Sequence, residues 1–330
     1  QTQSQTLCRR ARTNHPYGAL IMYIGIDIGG TKCAVVQADE NGKKLSRVAF
    51  ATADYQSTIN RIMDEVEKLL PCRAIGISCG GPLDESRGLI LSPPNLPGWD
   101  MIPITSMLED RFGIPAYLCN DANACALAEW KFGAGQGTRN MIFLTFGTGM
   151  GAGLILNGKL YSGTNGNAGE VGHMRLTEYG PVGYGKLGSF EGFCSGGGIK
   201  QLGQTLARER LQCGQVTAYC HSHEELDGIS AKAVAEAADA GDETACRVWQ
   251  LASEKLGLGL SLLIDLLNPE RIVIGSIFAR SEHLLRSGME RVIAREVLPQ
   301  SGQVCQIVPA ALGEEIGDYA AIAVAMKEGF

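Results

Sequence analysis

The stretch Tyr23-Ile24-Gly25-Ile26-Asp27-Ile28-Gly29-Gly30-Thr31-Lys32-Cys33-Ala34-Val35-Val36 has a counterpart later in the chain. It is Met141-Ile142-Phe143-Leu144-Thr145-Phe146-Gly147-Thr148-Gly149-Met150-Gly151-Ala152-Gly153-Leu154-Ile155-Leu156. Each reads as a hydrophobic strand, a turn carrying glycine and a hydroxyl, and a second hydrophobic strand. Glycine takes positive φ readily and lets a ligand approach the backbone. Clustered amide N–H groups in a tight turn form an anion-binding concavity. One such turn is weak testimony, because hairpins use glycine for their own geometry. Two in one chain point to a paired clamp on a polyphosphate.

Around the first turn the pattern predicts strands 22–28, 33–38 and 45–51, with the last two joined at Asn41-Gly42, a strong hairpin signal. Ile59, Ile62, Met63, Val66, Leu69 and Leu70 recur at helical spacing and predict a helix over 55–70. Strand 73–79, a proline-bearing loop over 80–100, helix 103–112, strand 115–119 and helix 121–132 complete a first unit. A second begins with strands 140–146, 151–156 and 159–162, and residues 163–198 read as irregular. Helices 195–211, 230–239 and 242–267, strand 271–275, helix 281–298, strand 304–309 and helix 314–327 follow. The order βββ, α, β, α occurs twice, which reads as an internal duplication: two α/β units with a cleft between them.

Composition bounds the function. A chain of 330 residues is long enough for two domains, and 45% hydrophobic content supplies both cores. A net charge of −6 leaves no electrostatic footprint for nucleic acid. No apolar run approaches the roughly 20 residues of a membrane span. The 11 cysteines are scattered, many of them in apolar runs, which suits reduced thiols and a cytoplasmic protein. Residues 1–21 are polar, with Arg9, Arg10 and Arg12, and are expected to be a disordered tail or an added extension ahead of a natural start at Met22. A functional basic arm is the alternative; the segment is too short for a helix-turn-helix.

Asp27 ends the first strand beside Gly29-Gly30-Thr31-Lys32. A carboxylate there would repel a phosphate unless a cation bridges them, and Mg²⁺ is held by one or two carboxylates with water and phosphate oxygens. Its bland alternative is a strand-end Asp satisfying turn amides. Asn120-Asp121-Ala122-Asn123 sits where a strand becomes a helix, so one of these residues is an N-cap. Phosphoryl transfer to a hydroxyl also needs a base that accepts its proton. Gly169-Glu170-Val171-Gly172-His173 and Gly188-Ser189-Phe190-Glu191 place polar groups in glycine-rich loops after the second turn. A cluster of Cys213, Cys220, His221 and His223 matches no common zinc spacing and reads as a solvated loop.

From Met22 onward these motifs, taken in order, resemble the ROK (repressor, open reading frame, kinase) family of sugar kinases, within the actin/hexokinase/Hsp70 superfamily. Asp27-Ile28-Gly29-Gly30-Thr31-Lys32 resembles its first phosphate motif and Gly147-Thr148-Gly149-Met150-Gly151 its second. Gly80-Gly81-Pro82 with Asn95-Leu96-Pro97-Gly98-Trp99 resembles the sugar loop, and Asn120-Asp121-Ala122-Asn123 with Glu129 the catalytic motif. The resemblance implies two ribonuclease H-like (actin-like ATPase) domains with an interdomain cleft, over 22–135 and 136–313, with the helix from 314 to 330 packed back on the first.

It also implies ATP-dependent phosphorylation of a hexose or N-acetylhexosamine at the 6-hydroxyl, with Asp121 as general base. Gly81, Asn95, Asn120, Glu170, His173 and Glu191 would hold the sugar. Asp27, Gly29, Gly30, Thr31, Lys32, Gly147, Thr148, Gly149 and Gly275 would hold ATP, with Asp27 organising Mg²⁺ through water. The expected assembly is a homodimer. Where the family usually has two consecutive glycines, this chain has Gly275-Ser276. Many members bind a structural zinc through the motif His and three cysteines. The matching run here, Val182-Gly183-Tyr184-Gly185-Lys186-Leu187-Gly188-Ser189, has no cysteine, so no zinc is expected. A sugar-responsive regulator and a non-catalytic sugar sensor are the alternatives.

Overall fold

Isoleucine and valine crowd the first strands, and β-branched side chains suit the pleated surface of a sheet. In the computed structural model, which describes residues 21–327, they build a five-stranded sheet. Its strands are β1 (Met22–Ile28), β2 (Lys32–Asp39), β3 (Lys44–Ala51), β4 (Ala74–Cys79) and, beyond a short hairpin of β5 (Leu83–Asp84) and β6 (Leu89–Ile90), β7 (Ala116–Asn120). The order is β3-β2-β1-β4-β7, antiparallel across β3-β2-β1 and parallel across β1-β4-β7. Helices α1 (Tyr55–Lys68), α2 (Ile104–Phe112) and α3 (Asp121–Phe132) connect or follow these strands.

The second half repeats the plan. Strands β8 (Met141–Phe146), β9 (Met150–Leu156) and β10 (Lys159–Tyr161) precede a small hairpin, β11 (Val182–Gly183) and β12 (Lys186–Leu187). Helices α4 (Phe190–Phe193), α5 (Gly196–Gln212), α6 (Ala231–Asp239) and α7 (Glu243–Leu267) follow. Then come β13 (Arg271–Ile274), α8 (Ile277–Glu296), α9 (Pro299–Val304), β14 (Gln306–Pro309) and α10 (Ile316–Ala325). The sheet order β10-β9-β8-β13-β14 has the same pattern of antiparallel and parallel neighbours as the first. The duplication read from element order is therefore a duplication of topology.

Four details depart from the sequence reading, the first being that residues 163–198 are not wholly irregular, since β11, β12 and α4 form within them. The helix expected over 281–298 starts at Ile277, because Ser276 completes the preceding turn in one residue at φ 57°; the helix then kinks at Ser281. Helix α9 was not anticipated, although Pro299 at its first position is a recognised start signal. It takes residue 304, so the last strand begins at Gln306. The stretch over 80–100 is not wholly irregular: β5 and β6 pair, Ile90 bridges Ile102, and Leu96 and Trp99 are buried. The expected N-terminal tail falls on residues outside the described range, as do residues 328–330.

Helices α3 and α10 share a core with the second sheet. Ala124, Leu127 and Ala128 of α3 and Ala320, Ala323 and Val324 of α10 cluster with Met141, Phe143, Ile155 and Val273. Helix α10 also lies close on the first sheet. A Cβ on Gly25 would stand 2.8 Å from the backbone nitrogen of Ile322, so only glycine permits this approach. Glu129, fully buried near the end of α3, accepts hydrogen bonds from Ala134 N (2.8 Å), Ala311 N (3.2 Å) and Leu312 N (2.9 Å). Both backbone crossings between the sheets, α3 to β8 and β14 to α10, thus end on one carboxylate. Arg271 holds the first crossing from the other side through Ala134 O at 2.6 Å. Among the described residues no helix is long and apolar enough to cross a membrane.

Unpaired buried donors cost about 1–3 kcal/mol each. Glu129→Ala is therefore expected to lower unfolding free energy by at least about 3 kcal/mol in urea titrations. A loss under about 1 kcal/mol would mean that water or relaxation replaces the carboxylate.

Candidate active site

Parallel strands deliver their C-terminal ends to one edge of a sheet, and ligands of open α/β sheets bind beyond that edge. Here the register sets Asp27 of β1 opposite Ser78 of β4, and Ser78 opposite Cys119 of β7. Asp121 follows β7 directly as the first residue of α3. Asn120 caps that helix, its side-chain oxygen accepting from Ala122 N at 3.0 Å, so the N-cap reading of this segment holds for Asn120. The Asp121 carboxylate accepts from the same amide through Oδ1 at 2.8 Å, and Oδ2 faces Gly80.

Electrostatics mark both acids. Desolvation pushes the Asp27 carboxyl up from 3.8 to about 6, helped by the charges of Asp318 and Asp121 and opposed by Lys32 and Arg47. Asp121 is also raised, first by desolvation; the Ala122 amide pulls it back and the charge of Glu170 adds to the rise. The residue as a whole remains exposed. Asp318, in the first turn of α10, is buried and paired with Lys44 (2.9 Å) and Arg47 (2.8 Å). Gly317 leaves room for Asp27: a Cβ there would lie 2.6 Å from Oδ2. An acidic, poorly hydrated spot of this kind fits a divalent cation. Asp27 would hold it, and the cation's charge would remove the repulsion between the acids.

Two cavities flank these acids. One, of about 540 Å³, is lined by Gly81, Asn120, Glu170, His173 and Glu191 from the sequence-predicted set. The other, of about 350 Å³, is lined by Gly275 and Ser276 together with Phe143, Thr145, Arg280 and Glu314. Six of the predicted residues thus line a cavity; Asp27, Asp121, Asn95 and the turn residues Gly29–Lys32 and Gly147–Gly149 line neither. Asn95 is placed differently: its neighbour Pro94 lines the larger cavity, while its own backbone packs on Gly30. A Cβ on Gly30 would meet Asn95 Cβ at 2.7 Å, so this glycine is needed for loop packing as well as for any ligand. Thr31, Lys32 and Thr148 are exposed beside their turns.

The second turn is braced from three directions. Gly147 N donates to Gly149 O at 3.1 Å, Gly151 N to Thr145 Oγ1 at 2.8 Å, and Met150 N to Glu191 Oε2 at 3.0 Å. Gly196 N donates to Gly147 O at 2.8 Å, which brings the N-terminus of α5 against the turn. That end of a helix favours negative charge. Glu191 thus both lines the larger cavity and holds the turn. Sequence reasoning missed Glu85, which lines the same cavity and accepts from Asn120 N at 2.8 Å. No motif flags it, because its partner lies 35 residues away.

The loop that carries the cysteine-free run is held by hydrogen bonds. Leu176 N and Thr177 N donate to Gly188 O (2.9 and 3.1 Å), and Phe190 N donates to Met174 O at 2.8 Å. Gln201 pairs with both backbone groups of Val182 at 2.9 Å, and Lys186 Nζ donates to His173 O at 2.6 Å. Among the described residues no group of three or more His, Cys, Asp or Glu is arranged to hold a metal ion.

The model of the ROK family matches residues 23–328. This chain belongs to the ROK family. It is 30% identical over 308 residues to a glucokinase of Halalkalibacterium halodurans, covering 89% of this chain and 92% of that protein. Among ROK structures, a glucokinase from Streptomyces griseus in complex with glucose and AMPPNP superposes with a TM-score of 0.72 at 30% identity, covering 93% of this chain and 99% of that one. A xylose repressor of Caldicellulosiruptor bescii is 30% identical over 267 residues, covering 77% of this chain and 65% of that protein. The two ribonuclease H-like halves and their cleft are the ROK architecture.

The raised carboxyl of Asp27 has a measurable cost. Because the carboxyl ionises about two pH units later in the folded chain than in the unfolded one, its ionisation destabilises the fold by about 3 kcal/mol at 1.36 kcal/mol per unit, a cost fully present above about pH 6. Asp27→Asn is expected to stabilise the ligand-free ROK protein at pH 7.5 by about 2–3 kcal/mol. The gain should fade as pH drops from about 6 toward 3.8, where parent folded and unfolded states both become protonated. Paired urea titrations at pH 7.5 and 4 check it; equal effects at both would reject the electrostatic origin.

Proposed function

We propose that this ROK chain transfers the terminal phosphoryl group of ATP to the 6-hydroxyl of a hexose, with Asp121 as general base. The chain is a sugar kinase of the ROK type: its glucokinase relatives match it over nearly their whole length. The single observation that carries the finer reading is the position of Asp121. It directly follows Asn120, which lines the larger cavity, its Oδ2 faces Gly80 next to the cavity-lining Gly81, and desolvation raises its carboxyl above the usual value.

In this reading Asn120, Gly81, Asn95, Glu170, His173 and Glu191 hold the sugar. Asp121 accepts the proton of the 6-hydroxyl as that oxygen attacks the γ-phosphorus, and the bond to the β–γ bridging oxygen breaks, releasing ADP. The turns at Gly29–Lys32 and Gly147–Gly149 offer amides to the phosphates, and the N-terminus of α5 adds its dipole. Mg²⁺, when bound, would offset phosphate charge, and Asp27 would hold it through water. The cavity beside Gly275 and Ser276 would take the nucleoside. Closure of the two halves would exclude water and protect ATP from hydrolysis.

The same reading places the two domains at 22–135 and 136–313, with α10 returning to the first. It includes homodimer assembly in the cytoplasm. Exposed Leu262 and Leu266, one turn apart on α7, and nearby Leu298 supply an apolar face for the dimer. A sugar-responsive regulator is the second reading, favoured by the likeness to the xylose repressor. It would use the larger cavity without turnover.

An ADP-release assay over a panel of monosaccharides separates the two. Turnover with one or more hexoses supports the kinase; sugar binding by calorimetry without ADP release supports the regulator. Asp121→Asn is expected to bind sugar within a few-fold of the parent and to lose at least about 1,000-fold in kcat. Near-parental turnover would remove Asp121 from the base role.

A further inference from the structure

The hairpin β11–β12 ends in a two-residue loop, Tyr184-Gly185, because Val182 pairs with Leu187 and Gly183 with Lys186. Both loop residues have positive φ, 44° at Tyr184 and 75° at Gly185. Such loops favour Asn or Gly at the first position. A bulky aromatic residue there is an outlier, and strain of this kind concentrates at ligand-binding sites. The ring is not placed there for burial, since Tyr184 is 78% exposed.

Its surroundings supply a purpose. Tyr184 lines the larger cavity, and its ring stands edge-on to that of His173, with centroids 5.2 Å apart and planes at 79°. The hairpin is tied to His173 itself, because Lys186 Nζ donates to His173 O at 2.6 Å. Polar groups occupy one part of the cavity wall. Apolar surface lines it as well, including Pro82, Leu83 and Pro94 from the first half and Met150 and Tyr184 from the second. A bare hexose, hydroxylated around its rim, uses the polar wall and leaves the apolar one wet.

We propose that Tyr184 is a specificity-determining residue: an aromatic platform for an apolar substituent on the hexose, at the end of the ring held by His173. The proposal rests on the sugar-kinase reading and narrows its substrate class to a hexose substituted near C1 or C2. An acetamido methyl group and an aglycone ring share the required chemistry, a C–H or π face that stacks on the phenol ring.

The test compares glucose, N-acetylglucosamine and phenyl β-D-glucoside as acceptors in the full chain. The parent should prefer one of the two substituted sugars over glucose in kcat/KM, and which one identifies the source of the apolar group. Tyr184→Asn keeps the positive φ at little cost while deleting the ring. It should lower the ratio of kcat/KM for that sugar over glucose about 10-fold, mostly through KM. Tyr184→Phe should keep the ratio within about twofold. Calorimetric titration of the same sugars reads the platform even without turnover: a chain that releases no ADP but loses substituted-sugar affinity in Tyr184→Asn supports the platform while overturning the kinase reading. An unchanged ratio and unchanged affinities in Tyr184→Asn, or a parent that prefers glucose, overturns the proposal.

Discussion

One buried carboxylate organises the joint of this molecule. Glu129 takes three amide N–H groups from two segments that are remote in sequence: Ala134 nearby, and Ala311 and Leu312 more than 180 residues on. A buried charge is tolerable only when it is fully hydrogen-bonded. These three donors supply that, and in doing so they pin both crossings between the sheets to α3. The same helix carries Asp121 at its other end. One helix thus carries both the joint between the crossings and the candidate base. The alanine-rich face of α3 allows α10 to sit close beside it, and α10 in turn lies on Gly25 and Gly76 of the first sheet.

The cleft is electrostatically uncomfortable, and this is informative. Desolvation raises both Asp27 and Asp121; the charges of Asp318 and Asp121 add to the rise at Asp27, and that of Glu170 to the rise at Asp121. Lys44 and Arg47 neutralise Asp318, while Lys32 and Arg47 only partly relieve Asp27. Folding alone would favour neutral side chains at such positions. Their retention makes sense where a cation and a proton-bearing hydroxyl enter the cleft, because each then meets a group already poised for it.

Much of the fold was legible because alternation and helical spacing are local signals. Strands β1, β8 and β9 and helix α3 stand within a residue of their expected bounds. The misread elements have local causes of another kind. Ser276 adopts a glycine-like φ that no propensity announces, so α8 begins early. Helix α9 is six residues long, too short for a periodic signal. In the site, the glycine turns and Asn120-Asp121 were visible as motifs. Glu85, the partition of Glu191 between turn and cavity, and Gly30's packing against Asn95 were not. Each depends on a contact between loops distant in sequence.

The two α/β units, the repeated turns and the identity of the acids are readable in the chain, since these follow from short-range pattern and turn chemistry. So is the lack of any thiolate in the run over 182–189. That one carboxylate ties the two crossings, that Asp27 lies against the first turn of α10, and that Tyr184 overlooks the larger cavity beside His173 emerge only in the folded molecule. Those facts rest on hydrogen bonds, desolvation and ring contacts between segments whose proximity exists only once both sheets have formed.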